Sequence, residues 1–371
     1  MKILVTGSRG FIAKNLIAEL SFHEGIEIFQ HTRDTKQEEF EAYCKDADFV
    51  FHLAGINRPT DPSEFMDGNY GLTSSLVNTL KMHNNSCPIV ISSSTQAELD
   101  NPYGISKKAG EELLKEYSLE TGSKVMIYRL PNVFGKWSRP NYNSVIATFC
   151  HNISRSIPIR VDNPDTTLNL VYIDDVVKEF INALKGEGNK TNENDYYAIP
   201  TTHTCTLGEI TDLLSSYYES RRSLQIPNME KPFSKKLYST YLSYLPKNEF
   251  SYELKMNKDN RGSFTEFIKT LDRGQVSINV SKPGITKGNH WHHTKNEKFL
   301  VVSGTGVIRF RNIESQEIIE YFVNGEKLEV VDIPPGYTHN IENLGEKDMV
   351  TVMWANELFN PAWPDTLFME V

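Results

Sequence analysis

Two spacings of apolar residues divide this chain, and no single layer architecture satisfies both. In the first half, short apolar runs at residues 3–5, 26–29, 49–53, 89–91 and 125–130 alternate with amphipathic stretches such as 11–20 and 103–117. Strand and helix in alternation predict an α/β fold with a doubly wound parallel sheet, because crossover helices cover both sheet faces. In the C-terminal third that alternation disappears. Q-V-S-I-N-V-S, E-K-F-L-V-V-S, G-V-I-R-F-R, E-I-I-E-Y-F-V, L-E-V-V-D-I and M-V-T-V-M-W are short, β-branched and separated by Gly, Pro, Asn or Asp. That pattern predicts an antiparallel sandwich or barrel. The change falls within 245–259, giving expected domains 1–245 and 246–371. Residues 201–245, rich in Tyr and Ser, read as a helical tail of the first domain. A length of 371 residues suits two cores rather than one.

The net charge of −9 argues against a nucleic-acid surface or attraction to anionic lipid. It leaves room for a phosphorylated ligand, which a helix N-terminus can hold in an acidic protein. Cys44, Cys87, Cys150 and Cys205 are scattered and form no C-x-x-C, so free thiols are expected, not a disulfide framework or a thiolate zinc site. No run of 18 apolar residues occurs, and M-K-I-L-V-T-G reads as a strand, not a signal peptide. The expected location is cytoplasmic, with no membrane or nucleic-acid partner.

After the first apolar run comes T-G-S-R-G-F-I-A. Gly7 permits a tight turn, Gly10 lets backbone approach a pyrophosphate, and Ala13 stands where a third glycine would allow close helix–strand packing. A helix opening near Phe11 would direct its N–H groups at the phosphates. Further on, Y-G-I-S-K sets Tyr103 and Lys107 four apart, on one helix face. An ammonium beside a phenol favours the phenolate and suits proton delivery to a carbonyl. I-S-S-S-T, residues 91–95, ends the fourth strand, where a hydroxyl could bind the same carbonyl oxygen.

With H-L-A-G at 52–55 and R-L-P-N-V-F-G at 129–135, these motifs over roughly 1–245 resemble the extended short-chain dehydrogenase/reductases, Rossmann-like enzymes that act on nucleotide sugars. The resemblance implies that Tyr103 is the acid/base and that Lys107 holds the nicotinamide ribose and tunes Tyr103. It implies a strand-end hydroxyl that polarises the carbonyl, Ser94 by position, with Ser93 and Thr95 left open by a gap to Tyr103 shorter than is usual. Gly7, Arg9, Gly10, Phe11, Ile12, Leu53 and Ala54 would line the cofactor, and Asn132 would touch the nucleotide sugar. At the end of the second strand, where NAD folds place an acid against the ribose, stand Gln30 and His31, with Arg33 following. Arg9 and Arg33 favour a 2′-phosphate, hence NADPH; Asp34 is the counter-sign.

Residues 284–304 hold G-x5-H-x-H-x4-E-x6-G. On a strand His290 and His292 share a face, and Glu297 follows a short turn. Two imidazoles and a carboxylate suit a divalent transition metal. With P-P-G-Y-T-H-N-I-E-N at 334–343, this resembles the cupins, jelly-roll (double-stranded β-helix) barrels, and implies one metal held by His290, His292, Glu297 and His339. Zinc is the first expectation, with iron, manganese or nickel compatible with the same ligands. His293 would point the other way and Trp291 would pack. D-N-R-G-S-F-T-E-F, 259–267, is similar to the sugar-nucleotide epimerase cupins, with Tyr337, Glu297 and Lys298 as candidate acid/base groups.

Reductase followed by cupin resembles the bifunctional UDP-sugar enzymes of bacterial capsular polysaccharide synthesis. The resemblance implies epimerisation at carbon 3 of a UDP-2-acetamido-2,6-dideoxy-4-ketohexose and NADPH reduction at carbon 4 to an L-talose type product. It also implies a homodimer. Two other readings are a reductase whose cupin only binds metal or dimerises, and a sugar-nucleotide sensor without turnover.

Overall fold

Ile3, Leu4 and Val5 of the first strand, β1 (Lys2–Thr6), are wholly buried, as a strand covered on both faces must be. In this computed structural model, which describes residues 1–191 and 195–371, alternate β1 residues serve different cores. Ile3 and Val5 pack with Leu16, Leu20 and Phe180, and Leu4 packs with Phe40, Leu76 and Leu114. The strands that follow are β2 (Glu27–His31), β3 (Phe49–His52), β4 (Ile89–Ser94) and β5 (Val125–Leu130). They form a parallel sheet in the order β2-β1-β3-β4-β5. The helices between them are α1 (Phe11–Leu20), α2 (Gln37–Asp46), α3 (Leu72–Met82) and α4 (Pro102–Thr121). Strand order reverses between β1 and β3, so the loops leaving these strands diverge and open a crevice at their carboxyl ends.

A small sheet joins β6 (Asn132–Phe134) in parallel to β7 (Thr167–Tyr172), which pairs antiparallel with β8 (His203–Thr206). The accompanying helices are α5 (Val145–Ile153), α6 (Ile173–Leu184), α7 (Leu207–Ser223) and α8 (Pro232–Leu242). β8 corrects the all-helical expectation for 201–245. H-T-C-T is β-branched at alternate positions, and the exposed ladder of β7 gives it a partner that no local pattern announces. No described helix is long and apolar enough to cross a membrane.

Two compact units result: Met1–Ser215 with Met229–Pro246, and Ser216–Asn228 with Lys247–Val371. The second unit is antiparallel throughout its strands β9 (Met256–Asp259), β10 (Gly262–Thr270), β11 (Gly274–Ser281), β12 (Thr286–Trp291), β13 (Glu297–Ser303), β14 (Thr305–Asn312), β15 (Ile318–Asn324), β16 (Val330–Ile333), β17 (Tyr337–Asn343), β18 (Met349–Ala355) and β19 (Leu367–Phe368). One sheet runs β16-β13-β18-β11-β10-β9, the other β15-β14-β17-β12-β19. Phe299, Val301 and Met349 of the first and Ile308, Phe310 and Ile341 of the second share one core. The unit is therefore a two-sheet jelly roll, and among the described residues no ladder joins the sheets into a closed barrel.

The inner wall changes character along the first sheet. Ser277 opposes Met353 and Asn279 opposes Thr351, and those residues in turn oppose Phe299 and Val301, so all six face inward. Gln275, Ser277, Asn279 and Ser281 are buried, whereas Val276, Ile278 and Val280 between them are only half-buried. A polar inner strand packs poorly as core but suits the lining of a wet cavity.

Candidate functional sites

In the first unit the turn after β1 meets α1. Gly7 has φ +67°, and a Cβ there would stand 2.6 Å from the Ala54 Cα; only glycine lets the β1 and β3 loops approach so closely. The α1 N-cap is Gly10, with no side-chain cap and no acid in the first turn, so its leading N–H groups are left for an anion. Phe11, Ile12 and Leu53 line a cleft of about 910 Å³ that also includes Arg9, Tyr103 and Asn132. Arg9 is ion-paired with Asp34, both side chains being largely exposed. Arg33 is exposed and outside the cleft lining.

The short stretch between β4 and α4 folds as a 3₁₀ turn, Thr95–Glu98, followed by the Asn101 cap, whose side chain accepts from the Gly104 N–H at 2.8 Å. Gly104 lies directly against the Gln96 and Leu99 carbonyls, where no Cβ fits. This folds Tyr103 back onto the end of β4, beside the Ser94 hydroxyl. Burial pushes the Tyr103 phenol up, and the neighbouring Ser94 hydroxyl pulls against it. One turn along, the Lys107 amine donates to the Ser92 carbonyl at 2.9 Å, and burial lowers it to about 8 despite Glu111. Ser93 is committed elsewhere. Its hydroxyl donates to Glu111, a carboxylate 1% exposed that Arg129 grips at 2.6 and 3.0 Å. Thr95 is exposed. Of the three hydroxyls, Ser94 is the one beside Tyr103.

One residue of this site was not legible in the sequence. Asn69 lies in a π-helical turn, Met66–Gly71, and is buried. It accepts from the Ile56 N–H at 2.9 Å and donates to Ser106 at 2.9 Å, tying the β3 loop to the Tyr103 helix; such irregular turns often mark functional positions. Its partners are 13 and 37 residues away, so no spacing rule exposes it. His52 is buried with both ring nitrogens occupied, 2.9 Å from the Thr6 and Thr73 hydroxyls, and burial lowers it to about 3. It is a neutral structural histidine.

In the second unit one nitrogen or oxygen each from His290, His292, Glu297 and His339 falls within 4.8 Å of the others. His290 and His339 are opposed on β12 and β17 just after a bulge at Asn289, which has φ +59°. The Glu297 carboxylate is 3.4 Å from Nε2 of both His292 and His339. His292 Nδ1 lies 2.6 Å from the Asp365 carbonyl. A carbonyl only accepts, so Nδ1 carries the proton and the Nε2 lone pair faces the cluster. His292 Nε2, both His339 nitrogens and Glu297 Oε2 are buried without a hydrogen-bond partner. Burial lowers His290 to about 4, keeping it neutral. Three imidazoles and a carboxylate whose buried nitrogens and oxygen converge without hydrogen-bond partners fit a divalent metal.

The cluster opens into a cavity of about 430 Å³. Tyr337 is not in its lining; it packs against the apolar core around Phe310. Lys298 pairs with Asp332 and is outside the lining too. The cations that do line the cavity are Lys258, Arg261, Lys287 and Lys295. Lys287 donates to the Asn279 side chain and the Val280 carbonyl, both at 2.8 Å. His293 is exposed and meets Trp291 edge to face, with centroids 4.5 Å apart.

Residues 3–197 match the NAD dependent epimerase/dehydratase family, and residues 257–367 match the polysaccharide biosynthesis C-terminal domain. The UDP-2-acetamido-2,6-beta-L-arabino-hexul-4-ose reductase of Pseudomonas aeruginosa is 46% identical over 366 residues, 99% of this chain and 98% of that protein. The crystal structure of the capsular polysaccharide assembling protein CapF from Staphylococcus aureus superposes with a TM-score of 0.95 at 57% identity, covering 100% of both chains. UDP-glucose 4-epimerase of Thermotoga maritima, solved with UDP-glucose, shares the fold over 66% of this chain and 98% of its own, with a TM-score of 0.54 at 19% identity.

Proposed function

The chain belongs to the NAD dependent epimerase/dehydratase family, and on that premise we propose that it is a bifunctional nucleotide-sugar enzyme of capsular polysaccharide synthesis. Its substrate is a UDP-2-acetamido-2,6-dideoxy-4-ketohexose, in keeping with the activity named for the Pseudomonas relative. Residues 246–371 epimerise carbon 3, and residues 1–245 reduce the 4-keto group to a UDP-2-acetamido-2,6-dideoxy-L-talose type product. One observation carries the reduction: Tyr103, Lys107 and Ser94 meet in the cleft that begins at the α1 N-terminus. The order of steps is chemically sensible. A proton beside a ketone keeps exchanging, and reduction removes the carbonyl and fixes the stereochemistry.

In the first unit Ser94 donates to the 4-keto oxygen, and the Tyr103 hydroxyl delivers the proton that converts that oxygen to a hydroxyl. The Lys107 ammonium, held by the Ser92 carbonyl, orients the nicotinamide ribose and favours the phenolate left behind. NADPH, when bound, supplies the hydride; Arg9, on the cleft wall, offers a guanidinium to a 2′-phosphate and supports it over NADH. Asn132, at the cleft rim, touches the nucleotide sugar.

In the second unit His290, His292, Glu297 and His339 would hold the metal, zinc being the first candidate, which would supply Lewis acidity to a ketone. The polar wall of Ser277 and Asn279 suits sugar hydroxyls, and Lys258 and Arg261 suit a diphosphate. Tyr337, half-buried against the core, is outside the cavity lining; Lys287 and Lys295 line the cavity and are the acid/base candidates in its place. A cytoplasmic homodimer completes the reading, the oligomeric state being checked by light scattering.

Proton NMR in deuterated water with a UDP-4-keto-6-deoxy-N-acetylhexosamine, without NADPH and before and after chelation, tests the epimerase. Metal-dependent loss of the carbon-3 proton signal is expected. No exchange at any metal loading would leave a reductase whose second unit only binds or assembles.

A further inference from the structure

Residues 364–369 run beside the His290–His292–Glu297–His339 cluster and hold it at several points. The Asp365 carbonyl accepts from His292 Nδ1 at 2.6 Å. The Asp365 carboxylate accepts from the His293, Thr294 and Lys295 N–H groups at 2.9, 2.9 and 2.8 Å, and from the Thr294 hydroxyl at 3.2 Å. It therefore holds residues 293–295 of the turn between His292 and Glu297. On the other side, β19 pairs with β12, setting Phe368 opposite His290. The Met369 N–H donates to the carbonyl of Asn289, the left-handed residue of the β12 bulge, at 3.0 Å. The Lys295 ammonium, which lines the cavity, donates to Thr366 Oγ1 at 2.8 Å and to the Pro364 carbonyl at 3.2 Å. Asp365 itself has φ +34°, a conformation a non-glycine residue keeps only when its surroundings over-determine it.

We propose that Asp365 is a positioning residue of the metal site, and that residues 364–369 form a clasp that keeps His290 and His292 in ligating register and sets metal affinity. The physical reason is preorganisation. A flexible 293–295 turn would leave three N–H groups unpartnered and let His292 rotate and change tautomer, so the cost of ordering the ligands would fall on metal binding. The inference rests on the reading of the cluster as a metal site.

The full chain is stripped of metal and titrated with Zn(II) and Co(II) against a competing chelator, as wild type, Asp365→Ala and Asp365→Asn. The ¹⁵N resonances of the imidazoles are recorded without metal. A clasp predicts a Kd about 10–100-fold weaker in Asp365→Ala, a smaller loss in Asp365→Asn, and His292 shifted from the Nδ1–H tautomer toward a mixture. A merely structural aspartate would lower the melting temperature and leave the tautomer alone. Should Asp365→Ala unfold the second unit, Asp365→Asn, which keeps one acceptor oxygen, decides. Wild-type affinity and tautomer in both variants overturns the clasp. A wild-type chain that binds neither metal overturns the metal reading itself, and is distinguishable because it appears before any substitution is made.

Discussion

The two units bury histidine in opposite ways. His52 in the first unit spends both ring nitrogens on threonine hydroxyls. His292 and His339 in the second, each 1% exposed, aim nitrogens without partners at one another and at Glu297. Burial alone therefore says nothing about role. A buried imidazole with both nitrogens satisfied is part of the core, whereas several with lone pairs converging on a carboxylate are stabilised only when something positive completes them. The same contrast separates Ser93 from Ser94. The first is locked to Glu111, and the second stands beside the Tyr103 phenol.

The comparison breaks first if chemistry leaks between the units. Tyr103→Phe should lower NADPH consumption by about 10²–10⁴-fold while leaving carbon-3 exchange intact, and His339→Ala should do the reverse; assays of both reactions on both variants check this. The next effect is on stability. His52→Ala leaves two threonine hydroxyls and a cavity behind and should cost roughly 2–4 kcal/mol. His339→Ala in the metal-free protein also leaves a cavity but removes orphaned nitrogens, so it should cost clearly less, as urea unfolding would reveal; equal losses would erase the distinction. Ser94→Ala should lower the reductase kcat by about 10–100-fold, against little change for Ser93→Ala, whose cost should appear in the melting temperature.

The smallest effects are in pH. Lys107 titrates at about 8, so its charge is present below that value and reductase kcat/KM should fall as pH rises through it. His52 is depressed to about 3 from an ordinary 6.5. The folded first unit thus refuses a proton that the unfolded chain accepts, and stability held above pH 6.5 should decline as pH falls toward 3, by at most about 1.4 kcal/mol per unit. Unfolding midpoints across that range measure it.

Much of the molecule is written in local pattern. Strand–helix alternation and then short β-branched runs specify a parallel sheet followed by a jelly roll, because period and burial are properties of a dozen neighbouring residues. Gly7–Gly10, Tyr103–Lys107 and His290–His292 are legible for the same reason: each is one turn or one strand, and spacing alone puts its side chains on a common side. Tertiary structure decided the rest. Which strand-end hydroxyl meets Tyr103 depends on Glu111 and Arg129 capturing Ser93. Tyr337, two residues from His339, lies half-buried because it packs against the core around Phe310. β8 exists because β7 offers an edge. Asn69 and Asp365 act on partners up to 37 and 73 residues away. Sequence determines which groups a segment presents and to which side; only the fold decides which distant donor or acceptor reaches them first, and in a buried site that competition fixes whether a group is structural or left open for a ligand.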